Sequence, residues 1–240
     1  MSTPSSDIKR GLLCVPQLLF ALALAPYSPV LSLCFFIDAV VVLAPWRVPR
    51  FSRSAASYWA ETLLTVLPMA LAMAYTIIRG DVPFTTDYLA VQILAGFALG
   101  AAGLHLSGLP LKSVFNGDIA ELMGQDTRSH IKARAFQTSV APLLEEYTYR
   151  VAPFIYGTIA LSAAAQIVFV LRHYLLRGGN ELKLGRPFYT RLSLSVIYLL
   201  SYLLTGSILT AVLAHYIHNA PTLYIEYQRY IISGENDNAK

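Results

Sequence analysis

Residues 143–151 read LLEEYTYRV and set Glu145, Glu146 and Arg150 between two apolar stretches. An ionised side chain at the centre of a membrane helix costs about 2.5–3.5 kcal/mol on insertion scales, so such residues are normally paired or functional. The spacing separates the two cases. Residues four apart share a helix face, whereas neighbours differ by about 100°. Glu146 and Arg150 are thus expected to pair, while Glu145 points elsewhere and is left free, as suits a general base. His173 ends the run IVFVLRH, with Phe169 one turn before it and placed to pack beneath it. His215 and Asn219 share a face in LTAVLAHYIHNAP, and His218 falls off that face. An imidazole and an amide can therefore point at one spot.

These residues need elements that hold them at depth in a membrane, and the composition supplies them. Of 240 residues, 55% are hydrophobic and 13% charged, and the mean hydropathy is +0.52, well off the soluble globular average. Apolar runs lie at about 11–25, 30–45, 57–78, 88–109, 136–157, 158–176, 192–205 and 207–227, separated by polar or Pro/Gly-containing breaks. The expected fold is an all-α polytopic membrane protein. It is a bundle of about eight transmembrane helices, each of roughly 20 residues, with no length left for a sizeable soluble domain. Residues 1–240 then form a single integral membrane domain. The Lys9-Arg10 pair and the run after it have the make-up of a signal peptide, but a second apolar run follows at once, as in a polytopic protein. Cys14 and Cys34 show no spacing of a metal knuckle or a disulfide framework.

Lys and Arg collect on cytoplasmic loops, which tests the spans independently. Lys9 and Arg10 precede the first run, Arg47, Arg50 and Arg53 follow the second, and Lys112, Arg128, Lys132 and Arg134 follow the fourth. Arg172, Arg177, Lys183, Arg186 and Arg191 surround the loop after the sixth, and Arg229 and Lys240 follow the eighth. All fall on one side, and the other side has only Arg79. Both termini and the loops at 46–56 and 177–191 are therefore predicted to be cytoplasmic. The basic pI of about 9.0 needs no nucleic-acid partner to explain it. At about 1.5 Å per residue, Glu145 lies roughly 13 Å below the cytoplasmic start of its span. His173, His215 and Asn219 fall in the same half of the bilayer, so one pocket opening to the cytosol can hold all four.

EEYTYR at 145–150, FVLRH at 169–173 and HYIHN at 215–219 resemble, in order, the EExxxR, FxxxH and HxxxN motifs of the CPBP-family intramembrane proteases. That family includes the CAAX prenyl protease type 2 enzymes and bacteriocin-processing or immunity relatives. The motif-bearing core covers about 136–226, and the first four runs match only in being hydrophobic. The resemblance implies an endopeptidase that uses a glutamate-activated water, without a cofactor, to cut a peptide or lipid-modified protein near its C-terminus. By position, Glu145 would be the base, supported by Glu146 and Arg150. His173 would position or deprotonate the water, and His215 and Asn219 would hold the oxyanion. Many members carry Phe before the Arg and Gly after it, where this chain has Tyr149 and Val151.

Two other readings use the same residues. Glu145, His173 and His215 could form a His2Glu zinc set with an open water position, leaving Glu146 to act as base. The alternative from another class is a non-catalytic membrane protein, either a binding, immunity or scaffold relative of the same fold or a small transporter. Three further features have structural expectations. Gly96 and Gly100 match small-xxx-small helix packing. Asp38 and Glu61 suggest a polar contact between the second and third runs. The loop KSVFNGDIAELMGQDTRSHIKAR has the pattern of an interfacial helix.

Overall fold

The computed structural model of the chain describes residues 4–43, 54–124, 126–176 and 186–238, and every regular element among them is helical. The order is α1 (Pro4–Leu24), α2 (Pro29–Leu43), α3 (Ala55–Ile78), α4 (Leu89–Ser107), α5 (Leu111–Phe115), α6 (Asp118–Leu122) and α7 (Arg128–Glu146). A π-helical turn (Tyr147–Val151) leads into α8 (Ala152–Ile155), followed by α9 (Ile159–Leu176), α10 (Arg186–Thr205) and α11 (Leu209–Asn238). Among the described residues the apolar runs of the sequence are helical, and the run at 136–157 is divided among α7, the π turn and α8. Three segments, Ala55–Ile78, Leu89–Ser107 and Phe188–Thr205, are long and apolar enough to cross a membrane. Cys14–Leu24, Pro29–Val42 and Ile159–Tyr174 are shorter apolar stretches.

Local chemistry explains the ends. Ser54 caps α3 by accepting from the Ser57 N–H, and Thr127 caps α7 by accepting from the His130 N–H. Gly108 closes α4 at φ +67°, in the left-handed region where a side chain is strained. The segment after α4 forms two five-residue helices rather than one, because Gly117 breaks it at φ +88°. Val114 and Ala120 bury against Ile225 of α11, while Phe115 and Leu122 stay exposed.

Glycine decides how closely α4 meets α11. A Cβ on Gly96 would lie 2.9 Å from the Leu213 side chain, and one on Gly100 would lie 2.6 Å from Ile217 Cβ and 2.9 Å from the Ala214 carbonyl oxygen. Backbone cannot yield as a flexible side chain can, so any side chain at Gly100 must push the helices apart. This is the close packing expected from the small-residue spacing, and it sets the depth and rotation of α11, which carries His215 and Asn219.

Arg229, which follows the eighth apolar run of the sequence, still lies within α11, which continues to Asn238. It is 4% exposed and pairs with Glu226 at 3.0 Å and Asp126 at 3.2 Å. Burial works to raise the Asp126 carboxyl, but its contacts with His130 and Arg229 outweigh that and hold it below the usual carboxylate range. Glu226 also meets Arg134 at 2.8 Å, so the start of α7 and the late turns of α11 are joined by a charge network. Most of the loops at 46–56 and 177–191 lies outside the described residues. At the other end of the bundle, the Tyr156 hydroxyl donates to Asp81, and Arg79 stacks on Tyr75 and Tyr156.

Candidate active site

Glu145 and Glu146 end α7, and the π turn that follows alters what this helix presents. The Ala152 N–H reaches the Tyr147 carbonyl, five residues back. Single widened turns of this kind recur at functional sites because they rotate the flanking side chains relative to a regular helix. Pro153 has no N–H to give, and the carbonyl of Tyr149 is taken instead by Gln166 Nε2 at 2.8 Å. Ser195 Oγ donates to Gln166 Oε1 at 2.8 Å and accepts from Arg150 Nη2 at 3.1 Å. The turn that holds Arg150 is thus tied to both α9 and α10.

Glu146 and Arg150 are fully buried and form the expected pair, with Nε 3.2 Å from Oε2. The angle falls outside hydrogen-bond geometry, so the contact is charge attraction without a directed bond. Glu146 does more than pair with Arg150, because its Oε1 lies 2.8 Å from Nδ1 of His215. The Arg150 guanidinium lies 4.2 Å from the centre of the Phe169 ring, and Phe169 meets His173 edge-on at 4.5 Å. Glu146, Arg150 and Phe169 therefore reach both imidazoles.

Glu145 is not free, contrary to the sequence expectation. Its Oε1 lies 3.4 Å from Arg172 Nη1, and its Oε2 lies 3.8 Å from His173 Nε2 and 3.7 Å from His215 Nε2. Arg172, counted from the sequence as a loop charge, is 1% exposed and points into the bundle. Its Nε reaches both oxygens of Asp38, at 3.1 and 2.9 Å. Asp38 also accepts from Gln17 Nε2 at 2.6 Å and the Tyr149 hydroxyl at 3.1 Å, so its partners come from α1, the π turn and α9 rather than from α3. Glu61 is exposed. A signal existed for the missed pair: an Asp and an Arg of opposite charge each sit in an apolar run and each require a partner.

The hydrogen bonds assign the ring protons. A backbone carbonyl can only accept, so Nδ1 of His173, 2.9 Å from the Phe169 carbonyl oxygen, carries the hydrogen. Nδ1 of His215 donates to Glu146 in the same way. In the neutral rings both Nε2 atoms then present lone pairs toward one carboxylate oxygen. The spacing exceeds a direct hydrogen bond.

A cavity of about 380 Å³ adjoins this group and is lined in part by Arg150, Phe169, His173, His215, His218 and Asn219. Glu145 was expected on the same wall, but it stands behind the two imidazoles and is 5% exposed. His218, expected to stand aside, lines the cavity near Gly103, where a Cβ would come within 3.1 Å of its Nδ1. His218 reaches the cavity because several helices enclose it, so a side chain off one helix's main face can still line the wall. Ser195 and Tyr198 of α10 also line it and were not singled out in the sequence.

Among the described residues, no group of three His, Cys, Asp or Glu side chains is arranged to hold a metal ion. Glu146, which the zinc reading requires as a base, is held by Arg150 and His215. Comparison of the chain with protein-family models, curated proteins and solved structures finds no match.

Proposed function

We propose that the chain is a glutamate-dependent intramembrane endopeptidase of the CPBP type, cutting a peptide or lipid-modified protein in a site open to the cytosol. The observation that carries this reading is the approach of two oriented imidazoles to one oxygen of a buried carboxylate, beside a cavity. A water donating one hydrogen to Glu145 Oε2 and the other to His173 Nε2 is left with its lone pairs free to attack a carbonyl carbon. Glu145 takes the proton on attack and returns it to the leaving amine, so the carboxylate is regenerated. Asn219, one turn from His215 on the cavity wall, supplies an amide donor for the oxyanion. His215 has given its Nδ1 hydrogen to Glu146, so it joins Asn219 as a donor only when its Nε2 is protonated.

Cleavage of candidate peptides by the detergent-solubilised protein, with the cut placed by mass spectrometry, tests the reading. A defined cut is expected, insensitive to chelators. Loss of activity with chelators and recovery with zinc would transfer the role to a His2Glu metal centre, while no cleavage of any peptide would favour the non-catalytic binding relative.

The alternation of Lys and Arg along the chain supports cytoplasmic termini and a cavity mouth facing the cytosol, in a bundle of about eight spans. Single cysteines at 46–56 or 177–191, in a background lacking the buried Cys14 and Cys34, are expected to resist an impermeant thiol reagent applied to intact cells. Strong labelling would reverse the orientation.

A further inference from the structure

We infer that Asp38 and Arg172 form a charge clamp that positions Glu145, holding its Oε1 so that Oε2 alone is turned to the two imidazoles. The inference rests on the proteolytic reading above and assigns a role to two residues that are not fixed positions of the three motifs, Arg172 being a variable position of FxxxH. Arg172 and His173 are consecutive on α9, and one helical step lets them meet Glu145 from different sides. The guanidinium reaches Oε1 at 3.4 Å, and the imidazole faces Oε2 at 3.8 Å.

The geometry shows why two acidic residues are needed. An Arg left alone with a carboxylate in a dry site tends to grip both oxygens with its planar fork, which would occupy the base. Here Arg172 is already divided. Its Nε serves both oxygens of Asp38, and its Nη2 reaches the Thr65 carbonyl oxygen at 3.3 Å. Only Nη1 remains for Glu145, in one long contact. Asp38 is itself held by Gln17 and by the Tyr149 hydroxyl, so it cannot swing away with Arg172. The clamp therefore keeps Glu145 beside a compensating charge and oriented, without occupying the oxygen that must receive a proton. It also gives α1, α2 and α3 a part in the site, which no motif on those helices announces.

Neither clamp residue lines the cavity, so both act through Glu145 as positioning residues. Arg172→Gln and Asp38→Asn are each expected to lower kcat on the order of 10²-fold with little change in KM, the scale of a small misplacement of a reacting group. A second readout does not depend on proteolysis. Dicyclohexylcarbodiimide, an apolar reagent that modifies protonated carboxyl groups, should leave Glu145 nearly untouched in the wild type and label it several-fold more in Arg172→Gln. Labelling is mapped by mass spectrometry. Arg172→Lys, which keeps the charge but not the divided fork, should label at Glu145 as weakly as the wild type. The double variant Asp38→Asn with Arg172→Gln removes both charges at similar size, guards against failure to fold, and should label at Glu145 as strongly as Arg172→Gln. If Glu145 labels equally in all these proteins, the clamp is wrong whether or not a peptide is cut. If labelling follows the expected order and the wild type cuts nothing, the clamp stands and the proteolytic reading falls.

Discussion

Glu145→Gln should abolish peptide hydrolysis while leaving a folded protein. The substitution removes the proton acceptor and keeps the size of the side chain, and the amide oxygen can still accept from Arg172 Nη1, which lies 3.4 Å from Oε1 in the native chain. Arg172 retains Asp38 as its counter-ion at 2.9 Å, so no buried guanidinium is stranded. Loss of a positioned general base costs roughly 10²–10⁴-fold in rate. The check is the cleavage rate per folded molecule, with thermal unfolding measured in the same detergent. A rate within a few-fold of wild type would remove Glu145 from the chemistry and move His173 or His215 into the role of base.

Glu146→Gln should act on stability first. Glu146 is 0% exposed and stands 3.2 Å from Arg150, itself 0% exposed, so removing its charge leaves a buried guanidinium uncompensated. Breaking one side of such a pair costs about 3–5 kcal/mol, because the remaining charge has no water to turn to. A glutamine oxygen still offers an acceptor to His215 Nδ1, which separates this effect from loss of the ring's orientation. The double change Glu146→Gln with Arg150→Met should therefore recover much of the stability. It should not recover full activity, because the cation that packs on Phe169 and bonds Ser195 is gone. Thermal melting of the purified variants in one detergent checks the order. Equal stability of wild type and Glu146→Gln would show that the pair is not an energetic unit.

What the sequence determined by itself was the set of directions within each helix. Glu146 pairs with Arg150, and Phe169 packs on His173, because a spacing of four residues places two side chains on one face whatever surrounds them. The spacing of Gly96 and Gly100 likewise marked a face for close approach, which α11 takes. Relations between helices were not legible, since the rotation and depth of each helix are set by packing against several others at once. Arg172 looked like a loop charge because it lies near the end of an apolar run, and a long side chain there can turn outward to water or inward to an acid. The Asp38 carboxylate on α2 decided for inward, and Arg229 turned inward toward Glu226 and Asp126 for the same reason. The π turn at Tyr147–Val151 has no signature in residue spacing, and it sets what the end of α7 presents beyond Glu146. That Glu145 stands behind the imidazoles, rather than on the cavity wall beside them, was decided by the tertiary structure alone. Burial of a charge depends on where its partners lie, and those of Glu145 are the Arg172 guanidinium and the imidazoles of His173 and His215, on helices far from it in the chain.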